Sequence, residues 1–259
     1  MQTPFTISPN PLSLYLTDSL RAVVHKARAC IDQRQGLTCI LGDIGLGKST
    51  ILRYLSAEYD AREDTVTTFI PTPSFPSSFA MLKSICLDFG IDSMRSREAQ
   101  KRLFENYLGD QFINEEKNVV IFIDEAQMLS NQQLELLREI LNFETNTEKL
   151  VQIVVAGQME LKLKINRQQN RPFKSRIMSY SNLNPLSLNE TKEMVSYRCK
   201  FAEIANPFSN EAIERIYYHT QGVPRSVLKV CRDLYELKGL GVTDFTKELI
   251  DETAGEAAL

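Results

Sequence analysis

The chain has 259 residues, 43% of them apolar and 24% charged, and a formal net charge of −3. That length admits one large domain or two smaller ones around a substantial core, and the charge excludes a chain that binds nucleic acid by being basic throughout, though not a local basic patch. Five cysteines without C-x-x-C spacing and only two histidines argue against a disulfide frame or a zinc or histidine metal site; with no apolar run near the roughly 20 residues that span a bilayer and no basic-then-apolar leader, the expectation is a cytoplasmic protein, reduced at its cysteines and not in a membrane.

Residues 1–16 mix proline and serine with Phe5, Leu12, Leu14 and Tyr15, and read as an extended arm packed on something else. A helix is predicted over 17–33, capped by Thr17 or Asp18. The apolar run 37–41 reads as a buried strand, and a helix with Ile51, Leu52 and Leu55 on one face follows over about 49–58. A second strand is predicted over 65–70, ended by Pro71 and Pro73. Ser77 or Ser78 opens a helix striped by Phe79, Leu82, Ile85, Cys86 and Phe89, and another helix over 96–108 stops at Gly109. Residues 119–123, five apolar in a row, read as a strand covered on both faces. Ser130 and Gln133 form a capping box ahead of a helix carrying Leu134, Leu137 and Leu141. A strand over 151–155 and a weaker one over 178–183 complete the alternation, which implies a parallel sheet with helices on both sides. Asn184-Pro185 breaks the pattern. Only helices are predicted beyond it, over about 187–205, 210–219, 224–237 and 246–253. The expected organisation is an arm (1–16), an α/β domain (17–184) and a helical lid (185–259).

The chemistry is concentrated in two places. Gly42-Asp43-Ile44-Gly45-Leu46-Gly47-Lys48-Ser49-Thr50 fits the P-loop pattern G-x-x-x-x-G-K-[ST] without mismatch. The three glycines let backbone N–H groups turn toward a polyphosphate, most simply ATP, over the positive end of the following helix. Lys48 would set its ammonium between the β- and γ-phosphates, and the Ser49 hydroxyl would take one place around Mg2+. The second place is Asp124-Glu125, at the end of the run 119–123. Both acids then stand at the sheet edge where the P-loop opens, Asp124 to hold Mg2+ mostly through water and Glu125 to orient the attacking water.

Four stretches together carry a resemblance: the P-loop, Ile123-Asp124-Glu125-Ala126-Gln127, 155–161 (VAGQMEL) and Gly222-Val223-Pro224-Arg225. They resemble one branch of the AAA+ ATPases, the ExeA/GspA type and the related transposition ATPases TniB and TnsC. Pro4-Phe5, Asn10-Pro11 and Leu14-Tyr15-Leu16 are similar to the opening of that domain, and 134–138 followed by 142–145 (NFET) to its middle. The resemblance implies a P-loop AAA+ three-layer αβα domain followed by a small all-helical lid. It implies that Gln158 is the polar sensor beside the γ-phosphate, and that Arg225 pairs with the nucleotide and couples lid position to phosphate state. It makes Arg176 the first candidate, and Arg171 the second, for an arginine finger reaching a neighbour's ATP. The other cations of 162–176, namely Lys162, Lys164, Arg167 and Lys174, read as a solvated basic face. A homo-oligomer of about six subunits per turn, ring or helical filament, follows from the resemblance.

The cargo is less determined. Secretion-type relatives add a membrane segment and a cell-wall-binding domain that this sequence lacks, so the expectation tilts to a regulator of DNA transposition. Such a protein would assemble on duplex DNA and recruit a transposase and targeting factors. Lys83, Arg95, Arg97, Lys101 and Arg102 are the candidate phosphate contacts, multiplied by polymer avidity; a solvated helix face explains them equally well. The alternatives are a loader or secretion-assembly ATPase acting on a protein without touching DNA, and a non-hydrolysing switch, which Glu125 disfavours.

Overall fold

The computed structural model describes residues 4–242 and 244–257. Five strands, β1 (Leu37–Leu41), β2 (Thr65–Ile70), β3 (Asn118–Ile123), β4 (Val151–Gly157) and β5 (Ile177–Asn182), form one parallel sheet in the order β2-β3-β4-β1-β5. The three central strands are buried along their whole length. Because side chains alternate across a strand, each central strand feeds two cores. Val119, Ile121 and Ile123 face one layer, while Val120 and Phe122 face the other.

The second of these layers is α1 (Asp18–Asp32) and α2 (Lys48–Asp60). The first is built from α3 (Ser78–Asp88), α4 (Arg97–Ile113), α5 (Asn131–Ile140), α6 (Met159–Ile165) and α7 (Arg171–Lys174). Thr17 caps α1 by accepting from Leu20 N at 3.2 Å, and Ser130 and Gln133 close the expected capping box on α5. Gly109 does not stop α4, contrary to the sequence reading. A glycine inside a helix costs only about 1 kcal/mol, and the turn beyond it is held by Phe112, whose ring lies 4.9 Å from the Arg34 guanidinium. The short helices α6 and α7 have no counterpart in the sequence reading.

After β5 every described element is a helix: α8 (Leu188–Phe201), α9 (Asn210–Thr220), α10 (Pro224–Gly239) and α11 (Lys247–Ala257). They close on their own core, which includes Val195, Ile216, Val227, Cys231 and Leu234. We keep 184 as the proposed boundary between the two units.

The N-terminal arm joins them. Phe5 is 1% exposed inside the helical core, its ring 5.6 Å from Phe208 and 5.9 Å from Tyr235. Tyr15 donates to Glu193 of α8 at 2.7 Å and packs on Tyr197. Between these anchors a 3-10 turn at Pro11–Ser13 interrupts the extended course, and Leu14 packs against the sheet-side core.

Candidate nucleotide site

β1 lies between β4 and β5, so the loop leaving Leu41 emerges in a crevice at the carboxyl edge of the sheet, where ligands of such folds bind. Gly42 N donates to Gly157 O at 3.3 Å and fixes the loop to the end of β4. Gly45 and Gly47 hold φ of +83° and +90°, conformations that favour glycine. No side chain caps α2, which leaves its first N–H groups to whatever lies in the loop. Lys48 is buried and donates from Nζ to Asp43 O at 2.8 Å. Burial pushes its ammonium pKa down, against the opposing fields of Glu125, Asp124 and Asp43. Leu46 sinks into the core beneath the loop, Asp43 and Ile44 form its exposed tip, and Ser49 and Thr50 are half-buried at the helix start.

Asp124 terminates β3 and is buried. Burial raises its carboxyl above the ordinary range, and a hydrogen bond from the Ser49 hydroxyl works the other way. Its Oδ1 also accepts from Glu125 N at 2.9 Å. Glu125 itself sits at φ +50°, a left-handed conformation unusual for a residue with a side chain. Two amides grip its Oε2: Gln127 Nε2, and Gln158 Nε2 at 3.3 Å. Gln158 N in turn donates to Gln127 Oε1 at 3.1 Å. Gln158, expected beside a γ-phosphate, here bonds the Glu125 carboxylate, and Gln127, quoted from sequence without a role, is a second clamp on it.

Lys164 is not part of a solvated face. Its Nζ, half-buried, reaches back to the carbonyls of Gln127 and of Leu129, the latter at 2.6 Å, and fixes the turn that follows Asp124-Glu125. A lone lysine in a basic stretch carries no sequence signal for this.

Arg225 opens α10 beside the P-loop and donates from N to Gly45 O at 3.1 Å. A Cβ on Gly45 would lie 2.9 Å from Val223 and 3.1 Å from Arg225, so the loop and the lid touch here. Gly222 is equally constrained. At φ +72° its Cβ would meet Leu186 O at 2.0 Å, and its own carbonyl accepts from Leu186 N at 2.9 Å.

Several of these groups line a cleft of about 1070 Å³ counted to its open mouth. Lys48, Ser49, Glu125, Gln158 and Arg225 are among them, and Ile7 and Pro9 of the arm, Leu14, Leu20, and Met194 and Leu228 of the lid add apolar walls. The arm's part in the walls was not read from sequence. Ser49 and Asp124 supply one hydroxyl and one carboxylate, a donor set that suits Mg2+ arriving with phosphate oxygens, since this ion is commonly bound through one or two carboxylates plus phosphates.

Arg176 and Arg171 lie outside the cleft. Arg176 directly precedes β5, whose first residue pairs with Leu37 at the start of β1. The P-loop follows the other end of β1, so Arg176 is at the opposite edge of the sheet, roughly 15–20 Å away at about 3.3 Å per residue. Its Nη2 donates to Asn142 Oδ1 at 2.9 Å. Arg171 is exposed on α7. The five proposed DNA cations do not form one free stripe. Arg97 donates to both oxygens of Glu139 at 3.0 and 3.1 Å, and Lys101 joins the same carboxylate at 3.4 Å. Lys83 lies over the Phe79 ring, and Arg95 and Arg102 are exposed.

A three-layer α/β sheet with a P-loop at its switch point, an acidic pair on the neighbouring edge and a helical unit closing over both defines a P-loop nucleotide-binding fold with a lid. The chain belongs to the AAA domain family, whose model matches residues 31–165, a little over half of it. It is 29% identical over 234 residues to General secretion pathway protein A of Aeromonas hydrophila, covering 89% of this chain and 42% of that protein. The chain spans about two fifths of the length of the curated relatives it matches. The fold is also that of the ORC2 protein of Aeropyrum pernix, solved as ADPNP-ADP complexes (TM-score 0.67, 13% identity, 98% of this chain and 71% of that one). The ORC1 protein of the same organism, solved in complex with DNA, is similar too (TM-score 0.70, 12% identity, 98% and 69%). These likenesses agree with an AAA+ ATPase of the ExeA/GspA-like type. Among the described residues no helix is long and apolar enough to cross a membrane.

Proposed function

We propose that this chain hydrolyses ATP to ADP and phosphate and uses the cycle to regulate DNA transposition, as a ring or filament of about six subunits per turn on duplex DNA. The observation that carries the ATPase reading is the Glu125 carboxylate, held by two amides in the same cleft as Lys48 and Arg225. A carboxylate so fixed can orient a water without reorganising. Lys48 and the uncapped start of α2 bind phosphate oxygens, and Ser49 and Asp124 hold Mg2+, which when bound neutralises charge on those oxygens. Gln158 keeps Glu125 aimed. Arg225, tied to Gly45 by its backbone, carries the state of the phosphates into the lid.

The finger is proposed to come from a neighbour through Arg176, because the sheet separates that residue from its own P-loop. Glu125→Gln should keep ATP binding and lose hydrolysis by about 100-fold or more. Lys48→Ala subunits mixed with Arg176→Ala subunits should regain activity that neither has alone, and no rescue at any ratio refutes the shared site.

The DNA role is supported by the resemblance to TniB and TnsC and, at the level of fold, by the DNA-bound ORC1 structure. With Arg97 and Lys101 engaged by Glu139, the phosphate contacts fall to Lys83, Arg95 and Arg102. Micrographs of protein, duplex DNA and a slowly hydrolysed ATP analogue should show rings or filaments on DNA, disrupted by salt. The likeness to General secretion pathway protein A favours a second reading, assembly on a protein partner. ATP-dependent oligomers indifferent to DNA would select it.

A further inference from the structure

Half of the arginines pair with a carboxylate among the described residues, for example Arg28 with Glu58, Arg97 with Glu139, Arg138 with Glu135 and Arg215 with Asp251. Arg198 is different. It lies on α8, 7% exposed, and lines the cleft from the lid side. Among the described residues no carboxylate pairs with it. Its Nε is buried without a hydrogen-bond partner, and its Nη1 makes only a long 3.5 Å bond to Thr6 O. A buried, unpaired guanidinium is costly unless something else satisfies its donors.

Its position says what that is. The bond to Thr6 puts it beside Ile7 and Pro9 of the arm, and Met194, one turn earlier on α8, shares its face. None of the hydrogen bonds that hold Lys48, Glu125, Gln158 and Arg225 around the P-loop involves the Arg198 guanidinium. Leu14, Leu20, Met194 and Leu228 wall the cleft with apolar side chains; of the arm's polar side chains in the lining, Tyr15 is spent on Glu193 and Ser8 lies between Ile7 and Pro9. Such walls can sandwich a planar ring but give it no hydrogen bonds, and sites of this kind rely on a few placed polar groups for orientation. Phosphates are already provided for by Lys48 and the P-loop.

We propose that Arg198 is the base-reading residue of this cleft: its guanidinium donates to an acceptor nitrogen of the purine ring, and its bond to Thr6 fastens the arm over that ring. The proposal rests on the ATP reading above and adds the residue that selects the base. It also joins base recognition to lid and arm closure, because the donor belongs to the lid and its second acceptor to the arm.

Arg198→Met keeps the aliphatic stem packed and removes the donors. Equilibrium binding is measured for Mg-ATP, Mg-tripolyphosphate, 2′-deoxy-ATP, and 1-, 3- and 7-deaza-ATP, each of which lacks one ring acceptor. The wild type should bind ATP more tightly than tripolyphosphate and disfavour one deaza analogue. Arg198→Met should lose at least about tenfold toward ATP, hold tripolyphosphate within about twofold, and no longer discriminate against that analogue. Arg198→Lys, with fewer donors, should fall between, and it carries the comparison if the methionine variant does not fold.

Equal losses on ATP and tripolyphosphate would mean a phosphate contact, and a gap that vanishes only for 2′-deoxy-ATP a ribose contact; either overturns the proposal. So does unchanged ATP binding, or a deaza pattern identical to the wild type. Failure of the wild type to bind either triphosphate sinks the ATP reading itself, a result distinct from all of these.

Discussion

Replacing Phe5 with alanine tests whether the N-terminal arm belongs to the nucleotide site. Phe5 is 1% exposed, with rings of Phe208 and Tyr235 against it. A buried phenylalanine covers about 150–250 Å², worth about 4–6 kcal/mol at 25 cal/mol/Å², and measured Phe→Ala losses in cores run about 3–5 kcal/mol. The helical core keeps its other apolar members without the ring, so the loss falls on docking of the arm. Removing about 3 kcal/mol of docking lowers the docked fraction by up to about 150-fold, and apparent ATP affinity scales with that fraction. The retained contacts of Tyr15 with Glu193 and Tyr197 reduce the effect. We expect Phe5→Ala to raise the ATP dissociation constant between about 10- and 150-fold, with faster amide exchange over 6–16 and unchanged exchange in the central strands. Wild-type ATP affinity alongside a freely exchanging arm refutes the arm's role in the site. Faster exchange in β3 and β4 shows instead that Phe5 supports the whole fold.

Three further outcomes are expected. Burial raises the Asp124 carboxyl, so the stability linked to this group is full below the ordinary carboxylate range and is lost as pH rises through its raised folded value. Ligand-free Asp124→Asn should therefore melt above the wild type near neutral pH, with the gap closing on acidification and the order reversing in Mg-ATP; thermal melts at stepped pH decide. Gly222→Ala should lose more than the roughly 1–2 kcal/mol of a left-handed residue, because its Cβ meets Leu186 O at 2.0 Å, whereas Gly239→Ala, with nothing within 4 Å, should be neutral or stabilising in the same denaturant titration. Lys164→Met should cut kcat about 10- to 100-fold with ATP affinity kept, because the turn that aims Glu125 loses its clamp; unchanged kcat removes Lys164 from the mechanism.

What could be read from the sequence was whatever has a local signature. The P-loop needs glycines at fixed spacing, and β3 announces itself by apolar residues on both faces. The capping box of α5 is a two-residue pattern. Gln158 could be placed because it follows a recognisable strand. What stayed hidden depends on contacts distant in the chain. Phe5 meets Phe208 some 200 residues away, and nothing near Phe5 says so. Lys164 looked like one cation among several until α6 turned its ammonium onto the carbonyls of Gln127 and Leu129. Arg198 reads as an ordinary helix arginine; only burial without a carboxylate separates it from its neighbours. Gly109 misled because a glycine that ends many helices is also tolerated inside one whose flanking turns are anchored.

Charge around the P-loop bears on assembly. Lys48 and Arg225 contribute two positive charges there, and Asp43, Asp124 and Glu125 contribute three negative ones. Under the proposed function, ATP with one Mg2+ adds about two more negative charges, so the loaded site remains short of cations. Charge that spreads over the γ-phosphate oxygens in the transition state needs a further donor. Within one subunit the Arg176 guanidinium is across the sheet from that phosphate, and Arg198 is engaged with the arm at Thr6. The deficit therefore argues for a cation from outside the chain, and it makes two rates separable. ATP binding should depend on Lys48 and Arg198 of the same subunit at any protein concentration. Hydrolysis should rise with concentration as subunits meet. A turnover number independent of concentration across the range where oligomers form would remove the need for a neighbour and return the search for the missing charge to this chain.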